Sequence, residues 1–213
     1  MTERGGGTPV AAARSEPVDG RRRRSARTRQ TIVAAYLELL RENGQIPTAS
    51  SIARRAGYSV RSVFERFPNL HALRVAATDD ALLRAATEAA SQPAVGGRRE
   101  RLKAHVETRG RMCEEWLSLW RALNANQGES AELKARIRLV RELVMRRIEE
   151  MYAAELSTLE DRERRHTVLA MEALVDFESW ARLREQFGLS FEDACAVWMR
   201  AIDRLLPPTP AVS

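Results

Sequence analysis

Residues 48–67, TASSIARRAGYSVRSVFERF, hold two helical patterns separated by a single glycine, and neither is long enough to be stable alone. A chain with such a pair must bury it against further helices. Thr48 can accept a backbone N–H as an N-cap, and Pro47 before it disfavours a helical turn upstream. Ile52, Ala53 and Ala56 follow at helical spacing, Gly57 stands where a helix ends in the left-handed conformation, and Ser59 can cap the next helix. Val63 and Phe67 lie four apart on one face, suited to packing on Ile52 and Ala56. The pattern predicts helix, tight turn, helix.

The outer face of the second helix is chemically distinct from its core face. At about 100° per residue, Arg61, Ser62, Phe64 and Glu65 turn away from the core, with Val60 beside them. Arg61 offers a fork of donors that fits guanine or phosphate, Ser62 a hydroxyl, Val60 a surface for a thymine methyl and Phe64 a flat apolar plate. This is the equipment of a recognition helix in the major groove.

The segments TRQTIVAAYLELLRENG, IARRAGYS and VFERFPNLHAL, between Thr28 and Leu73, resemble the DNA-binding domain of the TetR family of bacterial transcriptional regulators. The resemblance implies an all-α protein, with a three-helix DNA-binding head and a helical ligand-binding and dimerisation body. It implies that Thr48 is a phosphate-contacting cap and that Val60, Arg61, Ser62, Phe64 and Arg66 fall on base- and backbone-contacting positions; Tyr58 and Ser59, in the turn before them, complete the candidate DNA-contacting set. Three positions depart from the family pattern. Phe64 replaces a tyrosine and its phosphate-bonding hydroxyl, Leu70 replaces a lysine, and Tyr58 stands where a small aliphatic residue is customary. Its phenol can stand in for a lost contact.

Charge agrees with a DNA-binding end. Residues 1–30 hold eight Arg against three acids, residues 31–91 seven Arg against six acids, and the remainder 20 basic against 20 acidic residues. The positive excess therefore sits at the N-terminal end, which suits phosphate attraction there. Residues 1–24 mix Gly, Pro, Ala and Arg without periodicity and read as a disordered arm. Arg24 and Arg27 lead from that arm into the first helix. The arm can follow phosphates or reach into a groove, or it can serve as a solubilising tail.

The remaining chain is helical by pattern, and nothing in it alternates like a strand. The head spans residues 25–70, with Ile32, Val33, Tyr36, Leu37 and Leu40 striping its first helix. A connecting helix follows over residues 71–91, capped by Asn69, with Leu73, Ala76, Ala77 and Leu83 inward. The body, residues 98–206, reads as four long helices, beginning near residues 98, 129, 158 and 190. The last two are apolar around more than one stripe, at Leu174, Val175, Phe177 and Trp180 and at Val197, Trp198, Met199 and Ile202. That excess fits a homodimer joined through these helices, or central helices of a monomer. The resemblance implies the dimer, and two heads imply a near-palindromic operator in double-stranded DNA.

Met112, Cys113, Trp116 and Trp120 lie along one side of a helix in the span that lines the ligand cavity of TetR-like proteins, and Phe177 is a further candidate. Such a stripe suits a small apolar or aromatic effector, and it is equally what a core shows. His71, His105 and His166 share no metal-ligand spacing and read as surface or capping residues. With no phosphate loop or nucleophile elbow, an enzyme is not expected, and neither is a cofactor or metal. Cys113 and Cys195 read as reduced core thiols, and with no apolar run of membrane-spanning length the expected location is the cytoplasm. The sequence thus predicts a DNA-binding transcriptional regulator, most simply a repressor relieved by an effector. The alternative is a helical adaptor of the same fold without specific DNA recognition.

Overall fold

The computed structural model describes residues 16–91, 95–128 and 130–211, and every regular element in them is helical. α1 (Glu16–Asn43) buries Ile32, Val33, Tyr36 and Leu40, and Gly44 beyond it takes the left-handed conformation that stops a helix. The helix starts earlier than its apolar stripe predicts. Residues 16–24 are helical, which corrects the expectation of an unstructured arm there; residues 1–15 lie outside the described part. Arginine propagates a helix well, so the Arg-rich stretch continues a helix already anchored by the turns after it.

α2 (Ala49–Ala56) and α3 (Val60–Arg66) form the predicted pair. Ile52, Ala53, Val63 and Phe67 are buried together against α1. Arg55 fastens α2 to α1 through Glu42, with Nη2–Oε2 at 2.6 Å, and through Glu38 at 3.4 Å. Asn69 Oδ1 accepts the Ala72 N–H at 2.8 Å and so caps α4 (Leu70–Ser91), as its position predicts. α4 buries Leu73, Ala77, Thr78 and Ala81, whereas Leu83 is exposed. Leu83 follows Ala77 by six residues, about 600° of rotation, and so falls on another side of the helix.

In the body, α5 (Arg98–Asn126) is the hub and touches α1, α4, α6, α9 and α10. Around it stand α6 (Ala131–Met151), α7 (Ala153–Leu156), α8 (Asp161–Leu174), α9 (Phe177–Ala181) and α10 (Phe191–Leu205), with a π-helical turn, Arg182–Gln186, directly after α9. Two of the four expected long helices are therefore broken. One stops at Tyr152, and the other at Val175 and Asp176. At the second break the Asp176 carboxylate accepts the Glu178 N–H at 2.9 Å as an N-cap, while the Val175 carbonyl accepts from Arg109 Nε at 2.9 Å. The backbone groups released by the break are satisfied by side chains, one of them from another helix.

Gly110 lets α5 approach the end of the bundle. A Cβ there would stand 2.7 Å from Trp180 Cη2 and 3.1 Å from Phe191 Cε2. Trp180 in turn packs on Trp198, with ring centres 4.8 Å apart. Val175, Phe177, Trp180, Trp198 and Ile202 are all buried inside one chain. Most of the apolar excess read as a second burial surface is thus spent on the protomer's own core. Leu169, Val197 and Leu205 remain exposed. Val197, Ala201 and Leu205 form one stripe of α10, and Ala201 and Leu205 share a shallow groove with Ala170, Ala173 and Leu174 of α8.

Both cysteines are free and buried, and burial pushes each thiol up to about 11. Among the described residues no helix is long and apolar enough to cross a membrane, and no group of three or more His, Cys, Asp or Glu side chains is gathered as a metal site.

Candidate functional site

Local hydrogen bonding fixes the angle between α2 and α3. Thr48 Oγ1 accepts the Ser51 N–H at 3.2 Å, capping α2, and Ser59 Oγ accepts the Ser62 N–H at 3.1 Å, capping α3. Between them Gly57 takes φ of 73°, and the Tyr58 N–H returns to the Ala53 carbonyl at 2.9 Å. A side chain at Gly57 would meet the left-handed penalty, so glycine holds this turn open. Both caps use the hydroxyl as acceptor.

The outward face is the one the sequence predicts. Val63 and Phe67 are 0% and 1% exposed, while Val60 and Phe64 are 37% and 43% exposed and the Arg61 side chain 88%. Tyr58 is also exposed, and its hydroxyl receives the Thr28 hydroxyl of α1 at 3.4 Å. Ser62 is half buried, its Oγ 3.0 Å from that of Ser59. Arg61 is engaged along its own helix, with Nε 3.1 Å from Glu65 Oε1. Arg66 is turned further back. Its Nε is enclosed without a partner, and its carbonyl accepts from Arg29 Nη1 at 3.3 Å, while the Arg29 guanidinium stacks 4.3 Å over the Phe67 ring. Arg24 and Arg27 are exposed on α1 rather than on an extended arm. Arg24 lies one turn before Thr28 and so on the Tyr58 side of that helix. Tyr58, Ser59, Val60, Arg61 and Phe64 are thus exposed along the turn and α3, with Ser62 half buried among them, and Thr48 is exposed at the start of α2.

A second feature lies in the body. A partly open cavity of about 260 Å³ is walled by α4, α5 and α6, with Phe177 also on its wall. Met112, Trp116 and Trp120 line it, together with Phe177, which stacks on Trp120 at 5.0 Å between ring centres. Cys113, expected in this set, is absent from the wall. It is fully buried three residues after Gly110, on the side of α5 that faces the Trp180 cluster. The α4 wall is mostly alanine, at Ala81, Ala85, Ala86, Ala89 and Ala90, with Thr78 and Leu82.

The polar groups of the cavity were not legible as such. His105, expected at the surface, is buried on the wall with Nδ1 hydrogen-bonded to the Tyr152 hydroxyl at 2.9 Å. Burial, then the charges of Arg109 and Arg147, hold its pKa down to about 3, so the imidazole is neutral. Burial likewise raises the Tyr152 phenol above its ordinary range. Arg109 is buried on the same wall, its guanidinium carbon 4.6 Å from the centre of the Phe177 ring. Arg109, Met112, Trp116, Trp120 and Leu123 follow one helical stripe of α5, and an arginine inside an apolar stripe was the available signal. Trp116 and Leu119 also border a smaller cavity, about 120 Å³, whose other walls include Ala34, Leu37 and Leu40 of α1 and Arg84 of α4. One tryptophan thus touches both the body cavity and the junction with the head.

No sequence-family model matches the chain, and a comparison with curated protein sequences gives no match. Solved structures do match. A TetR-family transcriptional regulator from Streptomyces coelicolor is 19% identical with a TM-score of 0.68, over 84% of this chain and 80% of that one. A transcriptional regulator from Rhodococcus sp. Rha1 is 16% identical with the same TM-score of 0.68, over 85% of this chain and 99% of that one. The multidrug binding protein EbrR, complexed with imidazole, is 20% identical with a TM-score of 0.58, over 86% and 92% of the two chains. The chain has the all-α fold of TetR-family regulators, from the head to α10.

Proposed function

We propose that this chain is a sequence-specific DNA-binding regulator of transcription that acts as a homodimer, represses from a near-palindromic operator and is released by a small molecule held in the body cavity. The reading rests on one observation above the others: α3 presents Val60, Arg61 and Phe64 as an outward ridge, flanked by two capped helix N-termini and by the arginines of α1. Thr48, Ser59 and the arginines supply phosphate contacts that orient the head, while Arg61, Ser62 and Val60 read base edges. Phe64 gives an apolar contact where a hydroxyl is lacking, and the Tyr58 hydroxyl compensates from the turn.

The exposed stripe Val197, Ala201 and Leu205, with the shallow groove beside it on α8, is the surface for pairing two copies. That two proteins of this fold are transcriptional regulators, and that another is a multidrug binding protein, supports both halves of the proposal. An occupant of the cavity presses on α4, the helix after α3, and on Trp116, which also borders α1. It shifts the head only by the difference in its affinity for the two head positions.

The test is selection of bound duplexes from a random pool by the full-length protein, followed by titration of the enriched site at several salt concentrations. A near-palindrome should be enriched, and log affinity should fall linearly with log salt as counterions are released. An unenriched pool with no complex at low salt refutes the regulator and leaves the adaptor.

A further inference from the structure

The cavity holds a cation that the surrounding protein does not neutralise. Arg109 donates Nε to the Val175 carbonyl at 2.9 Å and lies over the Phe177 ring, and it forms no ion pair with any described residue. Its two Nη groups have no partner among the described residues and are not among the enclosed atoms, and Arg109 is one of the residues that line the cavity. Glu172 is near enough to feel the charge but does not pair with it. The rest of the wall does not supply the missing negative charge. Arg147 and Glu150 on the same wall stand 3.4 Å apart, and the remaining charged residue there, Arg146, is a cation. His105 is neutral there and contributes a polar ring without charge.

A buried guanidinium without an ion pair is costly, and one used only to hold the Val175 carbonyl would leave its two Nη groups without a role. Its free edge is the planar fork that grips a carboxylate through two parallel hydrogen bonds. The remaining wall is apolar and flat-sided: Met112 and Trp116 on one side, the stacked Trp120 and Phe177 at the end, alanines opposite. A dry cavity of about 150 Å³ holds benzene, so 260 Å³ takes an aromatic ring with a short acid chain.

We infer that the effector is an aromatic carboxylate, its ring against Trp116 and Trp120 and its carboxylate on the Nη edge of Arg109. The inference rests on reading this cavity as the effector site, and it adds the charge of the ligand.

Calorimetric titration of the full-length protein tests it with three probes: trans-cinnamate, its uncharged isostere cinnamamide, and indole. A charged hydrogen-bonded contact predicts that wild type prefers the acid to the amide by ~10- to 100-fold. In Arg109→Met that preference should vanish while cinnamamide affinity stays within about threefold, since only the charged contact has gone. If that variant fails to fold, Arg109→Gln, which keeps a donor for the Val175 carbonyl, takes its place. Equal binding of acid and amide by wild type overturns the anion assignment and leaves the effector site standing, as does binding of indole or the amide alone. A preference that survives in a folded Arg109 variant also overturns it, placing the anion elsewhere. If none of the three binds, the effector reading falls together with this one.

Discussion

On the proposed function, Arg61→Ala separates base reading from everything else the head does. In the free protein Arg61 is almost wholly exposed and, among the described residues, pairs only with Glu65, 3.1 Å away along the helix. An exposed pair at this spacing is worth about 0.3–0.5 kcal/mol at most, and with the arginine N-terminal to the acid it sits in the weaker order. Folding stability should therefore change by no more than about 0.5 kcal/mol. In the complex the same guanidinium must leave Glu65 to reach a base edge, and its loss there should cost about 1–3 kcal/mol, roughly 5- to 150-fold in Kd. Glu65→Ala should act in the opposite direction, freeing Arg61 and removing a negative charge that faces the phosphates. Fluorescence anisotropy on the selected duplex at fixed salt measures both, and a double-mutant cycle isolates the coupling. The salt slope identifies the contact. A base contact leaves it unchanged, whereas a phosphate contact lowers it by about one. An Arg61→Ala protein with unaltered melting and a specific Kd within about twofold of wild type would refute the assignment of Arg61 to the interface.

Other outcomes follow from the body. Gly110→Ala gains up to about 1 kcal/mol of helix propensity but drives a methyl into Trp180 and Phe191, which Trp198 holds from behind; overpacking of about 1–3 kcal/mol wins, and urea unfolding should report a lower midpoint. His105 is held neutral by a pKa near 3, whereas an unfolded histidine takes up its proton near 6.5. The unfolded state then binds more protons, so stability is complete above pH 6.5 and falls by up to ~1.4 kcal/mol per unit as the pH drops toward 3. His105→Gln should flatten that part of the pH–stability curve, and an unchanged slope contradicts the assignment. Val197→Asp combined with Leu205→Asp, both exposed in the single chain, should yield a folded monomer by sedimentation and abolish tight operator binding. A dimer that persists moves the interface elsewhere.

The head was legible because its determinants are adjacent in sequence. Thr48, Gly57, Ser59 and Asn69 each specify a cap or turn through groups within a few residues, and the inward spacing of Val63 and Phe67 fixes which side faces out. The body was legible only in outline. Its break at Val175 is completed by Arg109, 66 positions away, and no local pattern announces such a bond. Cys113 and His105 were misplaced for a related reason. α5 is enclosed on several sides, by the cavity, by the Trp180 cluster and by α1, so a residue's helical phase alone does not say which surrounding it meets. The early start of α1 shows the converse, since an unpatterned arginine run took its conformation from the helix that follows it.

If the cavity holds an effector as proposed, the alanines on its α4 wall bear on how its selectivity can diversify. Ala81, Ala85, Ala86, Ala89 and Ala90 already carry the smallest side chain that keeps full helix propensity, so almost every replacement there narrows the chamber. Alanines have no rotamers to freeze, and this flank neither adapts to a guest nor loses side-chain entropy when one arrives. Room for bulkier guests comes from trimming larger side chains such as Met112, Trp116 or Val144, and of these Trp116 also borders the head junction. Variants selected there for a larger guest will therefore tend to change signalling together with selectivity, whereas changes on α4 restrict what is admitted.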